Sequence, residues 1–431
     1  MKENRRVVVV SADAMVFEDT QLLRTLPAMA SVWDRCAQVE RVRSVYPSIT
    51  YPCHSTMMTG LYPEKHGIIR NDRIIPGVTP TPWIFTRENV HGVSVFDQAK
   101  AAGMTTASVF WPVTGNDPSI DWLIDECWPN PGDESELDCF RENGSSEEMV
   151  QQIIEPNIHW LSGRHRKHPY CDIFMMHCAS DIIRKYKPNL LMVHPANIDA
   201  YRHETGLFTP KVTHGIHETD CWLQMLFKSA EDAGVFEETD FFIVSDHGQM
   251  NIQRAVALNA ILAEHGWITV DEDGSFRDWK AWAHSGGLSA VVKMKHSEDE
   301  PALLALLEKL RDEGVWGIGE VMTRREAEEK HHMSGDFSFA IESDGITTFS
   351  NAFTKPFVRP QNNADYRLGK ATHGHLPHKG PQPTLIAFGP HIRPGAVVPN
   401  ANLVDEAPTF AAALGLEMPD AQGSVLQEIL R

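Results

Sequence analysis

Short β-branched or apolar runs alternate with helix-like stretches along most of this 431-residue chain, and no other feature restricts its fold as much. Val7–Ser11, Val39–Tyr46, Thr106–Phe110, Leu190–Val193, Phe241–Ser245 and Thr384–Phe388 read as buried strands. Glu18–Cys36 (divided at Pro27), a helix opening at His54 and stopping near Gly60, Val212–Asp232 and Leu403–Leu414 read as helices. Strands joined through helices predict a mostly parallel central sheet flanked by helices on both faces. The stretch 251–352 departs from this pattern. It holds a polar turn at Asp271–Gly274, a Trp-rich segment (Trp279, Trp282), a strand at Ser289–Met294 and a charged helix at Pro301–Glu313. It reads as an inserted subdomain between two pieces of core, 1–250 and 353–431. Pro129–Arg166, rich in Pro, Gly, Glu and Ser, reads as a long surface excursion.

Charge narrows the partners. With 58 acidic against 39 basic residues the net charge is −19, which repels phosphate backbones and argues against a nucleic-acid polymer. A small anionic substrate stays compatible, because bound dications would reverse the local potential. Seven scattered cysteines without a CxxC pair exclude a zinc ribbon and suit a reducing compartment. Cys171 with Cys178, or Cys127 with Cys139, could pair in an exported protein. No run reaches the ~18 apolar residues of a membrane span. Met1–Arg6 and the Val7–Val10 run lead straight into Asp13 without a cleavage site. They read as the first core strand of a cytoplasmic protein.

The ends of these strands carry the chemistry. The segment Asp240–Gly248 is an apolar strand ending in Asp246-His247-Gly248. Asp13 follows the first strand, Asp199 and His203 follow the strand near Leu190, and His373-Gly374 precedes the last. In open α/β sheets ligands bind outside the carboxyl ends of the strands. Asp and His there are natural ligands for borderline dications. Asp13, Asp199, His203, Asp246, His247 and His373 would serve two ions with three protein ligands each. Asp199 and His203, spaced i, i+4, share one helical face. His375 and His378 are loop filler or supporting groups as readily as ligands. In a chain of 21 histidines any one pair means little; several pairs at the ends of one sheet mean more.

A dimetal site needs a nucleophile. Pro47–Ser55 follows the second strand and precedes a helix, so a hydroxyl there sits at a positive helix N-terminus. Ser48, Thr50, Ser55 and Thr56 would otherwise be caps and turn formers. Cys53 is a softer competitor, less suited to dication-assisted phosphoryl transfer than a hard alkoxide.

Here the sequence resembles the nucleotide pyrophosphatase/phosphodiesterase (type I phosphodiesterase) branch of the alkaline phosphatase superfamily. The resemblance rests on Thr50-Tyr51-Pro52-Cys53-His54, then Thr59-Gly60-Leu61-Tyr62-Pro63-Glu64-Lys65-His66-Gly67-Ile68, then Asn71. Asp199 to His203, Ser245 to Gly248 and His373-Gly374 match the branch's later motifs, and the ordered matches cover about 1–250 and 365–431. It implies an alkaline phosphatase-like fold in which 251–352 is a cap. It implies two divalent ions, Zn²⁺ foremost with Mn²⁺ or Fe as alternatives. Asp199, His203 and His373 would hold one, and Asp13, Asp246, His247 and Thr50 Oγ the other. Thr50 would form a phospho-threonine intermediate, and Asn71 with the Tyr51 N–H would stabilise a non-bridging oxygen. Tyr51 stands where the branch has Phe, and Cys53 where it has Asn, which bears on substrate preference. His54 occupies the position where sulfatases carry Arg, which argues against a sulfatase.

The expected activity is hydrolysis of a small phosphate diester, nucleotide-like or other. The alternative is a phosphonate hydrolase, phosphonoacetate hydrolase-like, cleaving a C–P bond at the same dimetal site. A non-catalytic metal-binding protein ranks third. Tyr51, Trp282 and His284 are the candidate substrate contacts.

Overall fold

The computed structural model describes residues 5–129 and 135–431. Its centre is an eight-stranded sheet. The strands are β1 (Arg6–Ser11), β2 (Ala37–Arg43), β3 (Thr106–Val109), β4 (Trp122–Ile124), β5 (Leu190–Val193), β6 (Thr239–Val244), β7 (Leu385–Phe388) and β8 (Val397–Asn402). Their order across the sheet is β8-β2-β7-β6-β1-β5-β3-β4. Every pairing is parallel except the two made by β7, which runs opposite to β6 and β2.

Strand alternation splits the apolar residues between two cores. Val8, Val10, Phe241 and Ile243 pack with helices α2 (Tyr170–Tyr186) and α4 (Pro210–Asp232). Val7, Val9, Phe242 and Val244 pack on the other face with Met57, Phe96 and Phe410. All of β6 is buried, which is why it reads as a continuous apolar run rather than an alternating one.

Several boundaries differ from the sequence expectation. Helix α1 spans Thr50–Thr59, starting four residues before His54 and ending where Gly60 turns left-handed. Pro52 sits in its first turn, where a missing N–H costs nothing. Glu18–Cys36 breaks into short pieces, with helices only at Thr20–Leu23 and Pro27–Val32. The expected surface excursion is largely helical where described: Glu136–Glu142 and Glu147–Leu161 bury Phe140, Val150, Ile153, Ile154 and Leu161. Its three-to-four-residue apolar spacing outweighs its polar composition. The part of that segment at 130–134 lies outside the described residues, as does the start Met1–Asn4.

Residues from Ala281 to Ser343 form a four-stranded antiparallel sheet, Ala281–Ser285, Ser289–Met294, Phe339–Ser343 and Ile318–Thr323 in that spatial order. Leu303, Leu307 and Leu310 of the helix Glu300–Asp312 cover it. Hydrogen bonds tie this sheet to the core: the Leu288 N–H to His373 O at 2.9 Å and Arg70 Nη1 to His284 O at 3.0 Å. Among the described residues no helix is long and apolar enough to cross a membrane. All seven cysteines are free.

Candidate active site

The parallel strands deliver their C-terminal loops to one edge. Asp13 lies two residues past β1, His194 directly after β5, and Asp246-His247 just after β6. Helix α3 (Asn197–Thr205) carries Asp199 and His203 one turn apart. The backbone interlocks these loops. The Ala12 N–H reaches Val244 O at 2.9 Å, the Asp13 N–H reaches Pro195 O at 3.0 Å, and the Ala14 N–H donates to Asp246 Oδ1 at 3.2 Å.

Two glycines permit the close approach. A Cβ on Gly248 would lie 2.1 Å from Pro381 O, and one on Gly374, at φ +95°, would lie 2.1 Å from Gly286 O. Glycine therefore follows His247 and His373 because neighbouring backbone occupies the side-chain space.

The six expected ligand residues form one continuous cluster. Ligand-type atoms of Asp13, Asp246 and His247 all lie within 4.8 Å of one another, as do those of Asp199, His247 and His373. His203 Nε2 lies 3.2 Å from Asp199 Oδ2, and its ring centroid is 5.1 Å from that of His373. Thr50, the first residue of α1, places Oγ1 3.3 Å from His247 Nε2.

The electrostatics of this cluster call for cations. Burial, with Asp246 and Asp199 adding repulsion, drives the Asp13 carboxyl well above the usual range. Burial raises Asp246 as well. Burial also works against Asp199, but His203 and His373 more than offset it and hold that carboxyl low. Burial and neighbouring His247 push His373 well below an ordinary imidazole. Asp13 Oδ1, Asp246 Oδ2, His203 Nε2, His247 Nδ1 and His373 Nδ1 are all buried without a hydrogen-bond partner. Orphaned acceptors of this kind are costly unless something binds them. The donor set, carboxylate oxygens and imidazole nitrogens, fits divalent ions such as Zn²⁺. His203 Nδ1 lies 2.8 Å from Ala371 O; donation there leaves Nε2 as the candidate ligand atom.

A family model, type I phosphodiesterase / nucleotide pyrophosphatase, matches residues 7–348. The chain belongs to that family. Rat ectonucleotide pyrophosphatase/phosphodiesterase family member 1 is 23% identical over 247 residues, covering 56% of this chain and 23% of the relative. Human family member 5 is 24% identical over 279 residues, covering 63% of this chain and 50% of the relative. The aligned region is thus half or less of either relative's length. Among solved structures, murine ectonucleotide pyrophosphatase/phosphodiesterase 5, in a variant described as inactive and in complex with AMP, superposes with a TM-score of 0.67 at 19% identity. That match covers 99% of this chain and 100% of the other. The fold is the alkaline phosphatase-like α/β architecture expected from the sequence.

The second group of expected residues is placed less uniformly. Asn71 Oδ1 accepts the Tyr51 N–H at 2.9 Å, so that amide is committed to Asn71 and the Asn71 Nδ2 remains a donor. Tyr51 is buried beside Trp83, ring centroids 5.2 Å apart. Trp282 does not face the site: it is fully buried in the apolar core of the antiparallel sheet. An aromatic residue in the middle of a strand packs against its own sheet unless a cavity opens there. His284 is also buried, with Nε2 3.1 Å from Asp72 Oδ1, and tethers the inserted sheet to the core.

Other residues complete the site. His194 Nε2 lies 2.9 Å from Asp13 Oδ2, and Gln249 Nε2 donates to the Asp199 carboxylate. Tyr366 stacks on His373 at 5.6 Å and meets His203 edge-on at 5.4 Å. His168, Cys171 and Asp172 form a separate group, but Asp172 is already committed to His168 Nδ1 and to the Ala196 N–H, both at 2.7 Å. That group braces the turn before α3. A cavity of about 960 Å³ opens over Asp13, Thr50, Asp199, His203 and His373, with Trp83, Trp128 and Tyr366 in its walls. The only signal for these aromatic residues in sequence was their type.

Proposed function

We propose that this protein is a metal-dependent phosphodiesterase/pyrophosphatase that hydrolyses a small phosphate diester, nucleotide-like or other, through a phospho-threonine on Thr50. One observation carries the reading: Thr50 Oγ1 stands 3.3 Å from His247 Nε2, beside a buried cluster in which Asp13 Oδ1, Asp246 Oδ2 and His203 Nε2 have no hydrogen-bond partner. Membership of the type I phosphodiesterase family supports it. So does the AMP in the complex of the murine structural relative, a small nucleotide phosphate.

Asp199, His203 and His373 would hold one ion, and Asp13, Asp246, His247 and Thr50 Oγ the other. When bound, the ions supply charge neutralisation for the phosphoryl oxygens and lower the pKa of the threonine hydroxyl. Thr50 Oγ attacks phosphorus as the bond to the leaving oxygen breaks. The helix dipole of α1 favours the developing negative charge. Few amides are left to bind it directly, because Pro52 lacks an N–H and the Tyr51 N–H is spent on Asn71. Asn71 Nδ2 is the donor to a non-bridging oxygen. Water then cleaves the phospho-threonine. The segment 251–352 acts as a cap on the core 1–250 and 353–431, meeting it at His373 and at Asp72.

Acid quenching during turnover of bis-p-nitrophenyl phosphate tests the mechanism. Mass spectrometry is expected to find the phosphoryl adduct on Thr50, and Thr50→Ala to lose turnover while keeping its metal. An active Thr50→Ala variant, or an adduct on another residue, rejects the assignment.

A further inference from the structure

The wall of the cavity holds a cation clamped between aromatic rings. The Arg166 guanidinium lies 4.5 Å from the ring centroid of Trp83 and 4.6 Å from that of Trp128. The two indoles meet edge-on at 4.9 Å, and Trp83 in turn meets Tyr51, the residue after the candidate nucleophile, at 5.2 Å. Two indoles around one guanidinium restrict its orientation and contribute cation–π attraction. They satisfy its faces and leave its N–H edge unused. Among the described residues that edge makes no hydrogen bond or ion pair, and the residue itself is exposed. Lys167, next in sequence, lines the same cavity, and its ammonium is likewise unpaired among the described residues.

This arrangement stands out in a chain of net charge −19, where acidic partners are abundant. The carboxylate closest to competing for Arg166 is Glu126. Burial pushes the Glu126 carboxyl up, with Arg166 opposing the rise, yet among the described residues the two form no ion pair or hydrogen bond. A planar, always-charged fork with a free edge is suited to a carboxylate or phosphate oxygen pair. It packs on Trp83, which in turn meets Tyr51, so it lines the same cavity as Thr50 through a different set of contacts.

We propose that Arg166, clamped by Trp83 and Trp128 and assisted by Lys167, binds a second anionic group of the substrate. The preferred substrate would then carry a phosphate or carboxylate besides the phosphoryl group that reacts. The inference rests on the phosphodiesterase reading for its chemistry, but its test does not need turnover.

Binding to the metal-loaded, full-length Thr50→Ala protein is the measurement, followed by calorimetry. The probes are methylphosphonate with one anionic group, methylenediphosphonate with a second phosphonate, and phosphonoacetate with a carboxylate. With Arg166 intact, at least one two-anion probe is expected to bind tenfold or more tighter than methylphosphonate. Adding Arg166→Gln is expected to erase that preference and leave methylphosphonate within threefold. Arg166→Lys, which keeps charge but not the fork, is expected to restore part of it. The probe that loses most identifies the anion as phosphate or carboxylate. Comparing the same probes with and without Arg166 removes the attraction of the metal ions themselves. A preference that survives Arg166→Gln, or no preference at all, overturns the proposal. If instead the preference depends on Arg166 but the Thr50-intact protein hydrolyses no phosphate diester, the phosphodiesterase reading fails and the anion site stands.

Discussion

His194 Nε2 and Asp13 Oδ2 stand 2.9 Å apart, both side chains almost wholly buried. Burial holds the His194 imidazole down to about 4, so it is neutral near pH 7 and shares one hydrogen bond with the Asp13 carboxyl through Nε2. That bond fixes Asp13 and leaves Oδ1 without a hydrogen-bond partner, the candidate ligand atom. Supporting partners of this kind are typically worth ~10–100-fold in metal affinity. His194→Ala is therefore expected to weaken binding of one ion by about that factor in a chelator competition. Unchanged affinity would remove His194 from this role.

His66 is expected to give the protein an acid limb of stability away from the metal cluster. The ring is fully buried, its Nδ1 accepts the Ile68 N–H at 3.1 Å, and its Nε2 pairs with Thr56 Oγ1 at 3.0 Å. Burial pushes its pKa from 6.5 down to about 3. The folded state thus stays neutral where the unfolded state takes up a proton. Stability is full above about pH 6.5 and falls as pH drops toward 3, by ~1.4 kcal/mol per unit at most. In urea titrations between pH 5 and 6.5, His66→Gln is expected to show a shallower loss of stability than the parent. Equal slopes would contradict the assignment.

Arg202 sits between the two expected ligands of α3 but faces away from the metal cluster. Its guanidinium pairs with buried Asp19 and donates to Leu207 O at 2.7 Å. Removing one partner of a buried pair strands the other, at a typical cost of about 3–5 kcal/mol. Arg202→Met is expected to lose about that much in chemical denaturation. Arg202→Met with Asp19→Leu is expected to recover much of it. A double variant no better than the single one would mean the loss is not an unpaired charge.

The candidate ligand residues were legible in sequence because each lies beside an element whose local pattern is visible. Asp13, Asp246 and His247 follow strands whose apolar runs are visible, and Asp199 and His203 are a helical pair. The resemblance to a known family added Thr50 and Asn71, which spacing alone left among several hydroxyls. His194, Gln249, Tyr366, Trp83 and Trp128 were not legible. Their contacts to Asp13, Asp199, His373 and Arg166 cross long stretches of chain, and nothing in their neighbours reports them. The helices at 136–161 were missed because polar composition was weighed above apolar spacing.

Trp282 separates a core role from a substrate role. Its ring is fully buried, meeting Phe276 edge-on at 5.7 Å and Phe353 at 6.0 Å, inside the core that Leu303 and Leu307 close. Deleting a buried aromatic of this size typically costs about 3–5 kcal/mol, through lost burial and the cavity left behind. Trp282→Ala is expected to lower the stability of the inserted sheet by about that amount in a thermal melt. Trp282→Phe, which keeps most of the volume, is expected to lose much less and to leave KM for bis-p-nitrophenyl phosphate within twofold. The sheet holds His373 through the Leu288 N–H, so damage to it reaches the site as weaker metal binding before it alters substrate preference. A Trp282→Phe protein of normal stability and metal content but altered KM would put the ring back on the substrate.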